Sequence, residues 1–248
     1  MKIILSPNPY RDKRMTVVSE AEKVLKECGV ETVVCLPFPM DDHFRFAKKF
    51  DWKDLDEEAE GTDMLICFGG DGTILHLARF ARTHNIPILG VNTGSLGYMA
   101  ELEPGEMHLL RKVVEGKYRL EPHMMLDFRV IRNGRVIHQD TALNETTIRT
   151  SAVGKEIHFV IYADGVELFA CSGDGVIVGT PTGSTAYNVS AGGPLVGPTA
   201  GNILGTPLCA HDPRGRPRVL SQDRVGTVGF GHIGKKGGVL SPHSGSFP

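Results

Sequence analysis

The sequence predicts an α/β domain with a parallel sheet, followed by a second domain rich in β-strands. Over roughly the first 100 residues, short apolar runs alternate with segments of helical period, the pattern of a parallel sheet covered on both faces. After about residue 118 the hydrophobic period changes from 3.6 to 2, as in strands with one buried face. From Gly226 the chain becomes rich in Gly, Ser, Pro and Lys, with little apolar periodicity to stabilise order. The expected limits are 1–119 for the α/β domain, 120–225 for the β-rich domain and 226–248 for a disordered tail.

Each element rests on a local pattern. Ile3, Ile4 and Leu5 form a buried strand. In residues 15–28, Val17, Val18, Ala21, Val24, Leu25 and Cys28 share one helical face, and Gly29 stands where helices commonly stop. Residues 32–36 read as the next strand, ended by Pro37 and Pro39, whereas residues 41–61 are charged and carry no assignable period. The apolar run 64–68 precedes Gly69-Gly70-Asp71-Gly72-Thr73, a helical pattern over 74–82 and a strand over 86–91. In the second half, Met124, Leu126, Phe128 and Val130 alternate up to Asn133-Gly134, and Ile157, Phe159 and Ile161 up to Asp164-Gly165, two hairpin turns.

Composition narrows the function. Of 248 residues, 41% are hydrophobic and 23% charged, as in ordinary globular proteins, and the formal net charge of −2 offers no broad basic field for nucleic acid or anionic membrane. The apolar run near the N-terminus is too short for a signal segment, and no stretch reaches the roughly 18 apolar residues of a membrane span. Five scattered cysteines without a Cys-x-x-Cys pair argue against a disulfide framework or zinc site and fit a reducing cytoplasm. There is no Gly-x-Ser-x-Gly elbow and no His-Glu-x-x-His, so hydrolase and metalloprotease readings lack support.

Three motifs carry chemistry. Gly69-Gly70-Asp71-Gly72-Thr73 sits between strand and helix, where bare backbone and unpaired N–H groups can meet phosphate. It lacks the Lys-Ser/Thr ending of a Walker A loop and is not Gly-x-Gly-x-x-Gly. Asp71 within it either touches a bound magnesium ion, accepts a proton from an attacking hydroxyl, or merely caps the helix. Asn144-Glu145 offers a donor and strong acceptors for a ribose or an adenine edge, or is a solvated strand end. The block from Gly173-Asp174-Gly175 to Asn188 joins an acid in a glycine loop, a strand at Val176-Ile177-Val178 and a run of hydroxyls opening a helix, suited to phosphate or sugar. Tyr187 either stacks on a flat ring or is buried with a satisfied hydroxyl.

Together with Asn92-Thr93-Gly94-Ser95-Leu96-Gly97 and the stretch 180–193, these motifs resemble the NAD kinases in order and spacing, over roughly residues 1–196. The glycine-aspartate loop alone is shared with diacylglycerol, sphingosine and phosphofructokinases; the long third block is not expected there. The resemblance implies transfer of the terminal phosphate of ATP to the adenosine 2′-hydroxyl of NAD, with a divalent metal such as Mg2+, in a two-domain homodimer or homotetramer whose active site lies between domains. It implies that Asp71 is the base or orienting group, that Gly70, Gly72 and Thr73 lie near phosphate, and that Asn144 and Glu145 hold the NAD ribose or adenine. Asp174 would reach NAD across a subunit contact, Thr185, Ala186, Tyr187 and Ser190 would line the pocket, and Tyr98 stands where the family has an aromatic beside the ligand. Beyond Val196 the likeness thins: Pro207, His211, Arg216 and Pro217 still fit, but the strands that finish the second domain are expected to be missing. The alternatives are a lipid or sugar kinase with the same loop, or a non-catalytic NAD-binding protein.

Overall fold

The computed structural model describes residues 1–12, 14–38, 50–94, 97–151, 155–213, 215–231 and 239–240; of the unassigned stretch 41–61, residues 41–49 lie outside this set. The alternation of the first 100 residues becomes four parallel strands, β1 (Lys2–Pro7), β2 (Glu31–Val34), β3 (Met64–Gly69) and β4 (Ile88–Asn92), in the order β2-β1-β3-β4. They belong to the first of two compact units, Met1–Leu120 and Glu121–Pro248. Every residue of β3 is buried, as expected for a central strand covered on both faces. Because successive side chains point to opposite faces, Met64, Ile66 and Phe68 join one core cluster, and Leu65 and Cys67 join the other.

The first cluster packs against helix α1 (Thr16–Glu27), through Val18, Ala21 and Leu25, and against Met107, Leu110 and Val113. Val17, Val24 and Cys28 flank that contact, so the apolar stripe read in the sequence is the buried one. Asp12 fixes the start of α1: its buried carboxylate accepts from the N–H groups of Thr16 and Val17. At the other end the Gly29 N–H donates to the Lys26 carbonyl and the Val30 N–H to Leu25. The second cluster receives Ile74 and Leu77 of helix α2 (Asp71–His84). Fully burying each such side chain contributes about 1.5–3 kcal/mol.

Helix α2 begins three residues before its apolar pattern does, because the Gly70 carbonyl already accepts from the N–H groups of Thr73 and Ile74. Asp71 and Gly72 therefore lie in the first helical turn, not in a loop ahead of it. Strand β4 starts two residues later than its apolar run, since Asn85, with φ 54°, and Ile86 still close the helix. A 3-10 turn (Pro104–Leu109) and helix α3 (Leu110–Val114) complete this unit.

The second unit is antiparallel. One sheet has the order β12-β11-β10-β7, from β7 (Glu145–Arg149), β10 (Gly175–Gly179), β11 (Asn202–Leu208) and β12 (Arg218–Ser221). The other has the order β6-β5-β14-β13-β8-β9, from β5 (Leu126–Arg132), β6 (Arg135–Ala142), β8 (Ile157–Ala163), β9 (Val166–Gly173), β13 (Gly226–Gly231) and β14 (Val239–Leu240). Both expected hairpins form, and each turn has two residues with positive φ: Asn133 and Gly134, Asp164 and Gly165. Phe159, Ile161, Phe169, Cys171, Val176 and Val228 make its core. A 3-10 turn (Thr182–Thr185) and the short helix α4 (Tyr187–Ser190) follow β10.

The tail departs from expectation. Gly226–Gly231 is strand β13, paired antiparallel with β8 from Gly226↔Ala163 to Gly231↔His158, and β14 pairs with both β13 and β5. A glycine-rich strand shows no apolar period, yet its backbone hydrogen bonds are as good as any other strand's, and Val228 is buried. Residues 232–238 and 241–248 of the expected tail lie outside the described residues.

Candidate active site

Strand β3 ends at Gly69, and Gly70 turns the chain in an extended conformation (φ −108°, ψ −174°) into α2. The first N–H groups of a helix have no intrahelical partner, and its dipole adds a partial positive charge, so this corner attracts anions. Around it lies a cleft of about 370 Å³ lined by Gly70, Asp71, Gly72 and Thr73, by Asn8 and Arg11 beyond β1, and by Phe38, His76, Gly94 and Gly97. Asn8 ties the two strand ends together: its backbone N–H donates to the Phe68 carbonyl and its Nδ2 to Thr73 Oγ1, 2.9 Å away.

The cap position of α2 is Gly70, and among the described residues Asp71 has no side-chain bond to its own helix. Its carboxylate accepts from the Tyr98 N–H, at 3.2 Å on Oδ1 and 3.0 Å on Oδ2, and from the Met99 N–H, at 3.1 Å on Oδ1. That removes the capping alternative and leaves a held carboxylate on the wall of the cleft. Tyr98 contributes through its backbone, and the residue is 74% exposed.

A second constellation lies in the β-rich unit, where β7 and β10 pair with Glu145 opposite Gly179. Thr180 donates from its N–H to the Asn144 carbonyl, 2.8 Å away, and from its hydroxyl to the Leu143 carbonyl. Gly183 presses so closely on Asn144 that a Cβ there would collide with the Asn144 backbone. The side chains behave differently. Asn144 Oδ1 and Glu145 Oε2 are buried without a hydrogen-bond partner among the described residues, and burial pushes the Glu145 carboxyl up from its ordinary value. Buried acceptors are nearly always paired in native proteins, so two orphans on adjacent residues point to a ligand that completes them.

The hydroxyl block after β10 divides in two. Thr180, Thr182, Ser184 and Asn188 are buried and turn inward: Asn188 accepts from Thr206 Oγ1 and donates to the Pro194 carbonyl, Ser184 binds the Val196 backbone, and Thr182 meets His123 Nδ1 at 2.8 Å. Thr185 and Ala186 are half-buried, while Tyr187 and Ser190 are exposed. Tyr187 is thus not a buried core tyrosine. Asp174, also exposed, lies at the opposite end of β10 from Glu145, about 15 Å away by strand rise.

So the structure gathers Gly70, Asp71, Gly72, Thr73 and the backbone of Tyr98 in one unit, and Asn144 and Glu145 with Thr180 and Gly183 in the other. Among the described residues no hydrogen bond joins Thr185, Ala186, Tyr187 or Ser190 to Asn144 or Glu145. Asp174, just before β10, stands apart from Asn144 and Glu145 at the other end of that strand. Asn8, Arg11, Phe38, His76, Gly94 and Gly97 are cleft residues that the sequence reading did not single out. For Asn8 and Arg11 the signal was available, since both follow the carboxyl end of a parallel strand, where sites in such sheets gather.

Residues 3–118 match the family model described as ATP-NAD kinase N-terminal domain, and residues 143–231 match the ATP-NAD kinase C-terminal domain. The chain belongs to the ATP-NAD kinase family. It is 34% identical to an NAD kinase of Acetivibrio thermocellus over 226 residues, 91% of this chain and 77% of that one. An NAD kinase of Ruminiclostridium cellulolyticum is 36% identical over 230 residues, 90% of this chain and 77% of that protein. Among solved structures, an NAD kinase from Archaeoglobus fulgidus in complex with ATP superposes with a TM-score of 0.69 at 26% identity, covering 100% of this chain and 92% of that one. Yeast NADH kinase complexed with NADH, at 22% identity, shares the fold with a TM-score of 0.80 over 98% of this chain and 79% of its own.

Proposed function

We propose that this chain transfers the terminal phosphoryl group of ATP to the adenosine 2′-hydroxyl of NAD, yielding NADP and ADP. The observation that carries the reading is the Asp71 carboxylate, fixed by two backbone N–H groups on the wall of a cleft that also holds the N-terminus of α2. Phosphoryl transfer requires alignment and charge stabilisation more than covalent chemistry. The amides of Gly70 and Gly72 and the Arg11 guanidinium serve the phosphates, with Thr73 near them, and Asp71 orients the attacking hydroxyl and takes its proton.

Asp71 is the one carboxylate among the described residues lining the cleft, a donor set suited to a magnesium ion held mostly by phosphate oxygens and water. When bound, such an ion neutralises charge on the phosphates. Asn144 and Glu145 hold the ribose or adenine of NAD through the oxygens that have no partner among the described residues, and Thr185, Ala186, Tyr187 and Ser190 line the same pocket. In this reading residues 1–119 supply the phosphate cleft and 120–225 the dinucleotide groups. Asp174, exposed and distant from Glu145, serves NAD held by another copy in a homodimer or homotetramer. Five free cysteines agree with work in the cytoplasm.

The lipid- and sugar-kinase alternative is disfavoured because both halves of the chain match the NAD kinase domains. The test is NADP formation by purified protein of confirmed mass, offered NAD, diacylglycerol and fructose 6-phosphate in parallel with ATP. Phosphorylation of NAD alone is expected. Transfer to another acceptor, or NAD binding without NADP, would refute the reading.

A further inference from the structure

The loop that follows β4 meets Asp71 in a way that assigns a role to a residue without a side chain. A Cβ built on Gly97 would collide with Asp71 Oδ1 and crowd its Cγ at 3.1 Å. The next two residues, Tyr98 and Met99, supply the N–H groups that hold the same carboxylate. Only a residue with no side chain at 97 lets the loop come close enough for both amides to reach.

A carboxylate has about four lone-pair positions, two on each oxygen. Oδ1 accepts from both Tyr98 and Met99, so its two positions are filled. Among the described residues Oδ2 accepts only the Tyr98 N–H, as the shorter arm of that shared bond at 3.0 Å, which leaves one position for a substrate hydroxyl. We propose that Gly97 is a positioning residue: its bare Cα and the two following amides form a seat that immobilises Asp71 and leaves Oδ2 alone to receive the acceptor hydroxyl. This rests on the proposed role of Asp71.

The geometry predicts coupling between positions 71 and 97 that can be read without any turnover. Gly97→Ala should lower the melting temperature in the wild-type background, because the methyl displaces the carboxylate. In an Asp71→Ala background the obstacle is gone, so the same substitution should cost little or nothing further. An equal loss in both backgrounds would overturn the proposal. In steady-state kinetics Gly97→Ala should reduce kcat by about 10²-fold, the scale of a misplacement near 1 Å, with KM for ATP and NAD within about threefold of wild type. Unchanged kcat, or a loss confined to KM, would also overturn it. Should the wild-type protein form no NADP, the functional reading fails, while the melting-temperature coupling still decides whether the seat exists.

Discussion

The two constellations differ in how their polar groups are satisfied. In the first unit, the Asp71 carboxylate has its hydrogen bonds made before any ligand arrives, from amides of the following loop. In the second, Asn144 Oδ1 and Glu145 Oε2 are buried with those bonds still open among the described residues. A group that acts on a reacting hydroxyl gains from being held in advance, since no reorganisation is then needed at the moment of transfer. A group that selects a ligand gains from being unsatisfied, because the wrong ligand leaves its desolvation uncompensated. Under the proposed function, the contrast gives rate to the first site and recognition to the second.

The largest effect expected from that division is on turnover. Asp71→Asn should lower kcat by roughly 10²–10⁴, the usual range for general-base help, with the fold intact by circular dichroism and melting temperature. Turnover within a few-fold of wild type would break the comparison at its first term. Glu145→Gln should act on binding instead, weakening NAD affinity by about tenfold or more in calorimetry, the scale of one hydrogen bond to a charged group, with a smaller effect on kcat.

Glu145 also gives the comparison a pH dependence. Burial raises its folded-state pKa, so the unliganded protein keeps this contribution to stability below the unfolded value and loses it as pH rises through the folded value. Glu145→Gln removes the penalty, and its advantage in melting temperature over wild type should grow with pH over that interval. A difference that stays constant with pH would contradict the burial argument. Gly183→Ala should push the Asn144 backbone away from its close contact, destabilising the protein by about 1–3 kcal/mol and weakening NAD binding while sparing chemistry. The smallest change belongs to Tyr187→Phe: with the side chain exposed and no buried hydroxyl to lose, NAD affinity should shift no more than a few-fold.

Much of the fold is legible because its signals are local. The apolar stripe of α1, the buried run of β3 and the two hairpin turns each lie within a few residues of one another. Strand β13 is invisible for the converse reason: its glycines carry no period, and what orders it is pairing with β8, more than 60 positions earlier in the sequence. The site divides the same way. The glycine-aspartate loop announces a phosphate corner, but whether Asp71 caps its helix or faces a ligand depends on amides 27 and 28 residues away. No spacing rule reaches that far. Likewise the hydroxyl block reads as uniform ligand chemistry, although Thr180, Ser184 and Asn188 are spent on holding the turn together. Only burial separates the scaffold hydroxyls from the exposed ones.

Phosphorus NMR of the products from ATP and NAD tests the division of labour most directly, with wild-type protein and Asp71→Asn run side by side at saturating substrates. The account predicts a phosphomonoester signal on the adenosine 2′-oxygen from the wild type, and almost none from the variant over the same interval despite undiminished NAD binding. Equal signals from the two proteins, or none from a wild type that binds both nucleotides, would contradict it.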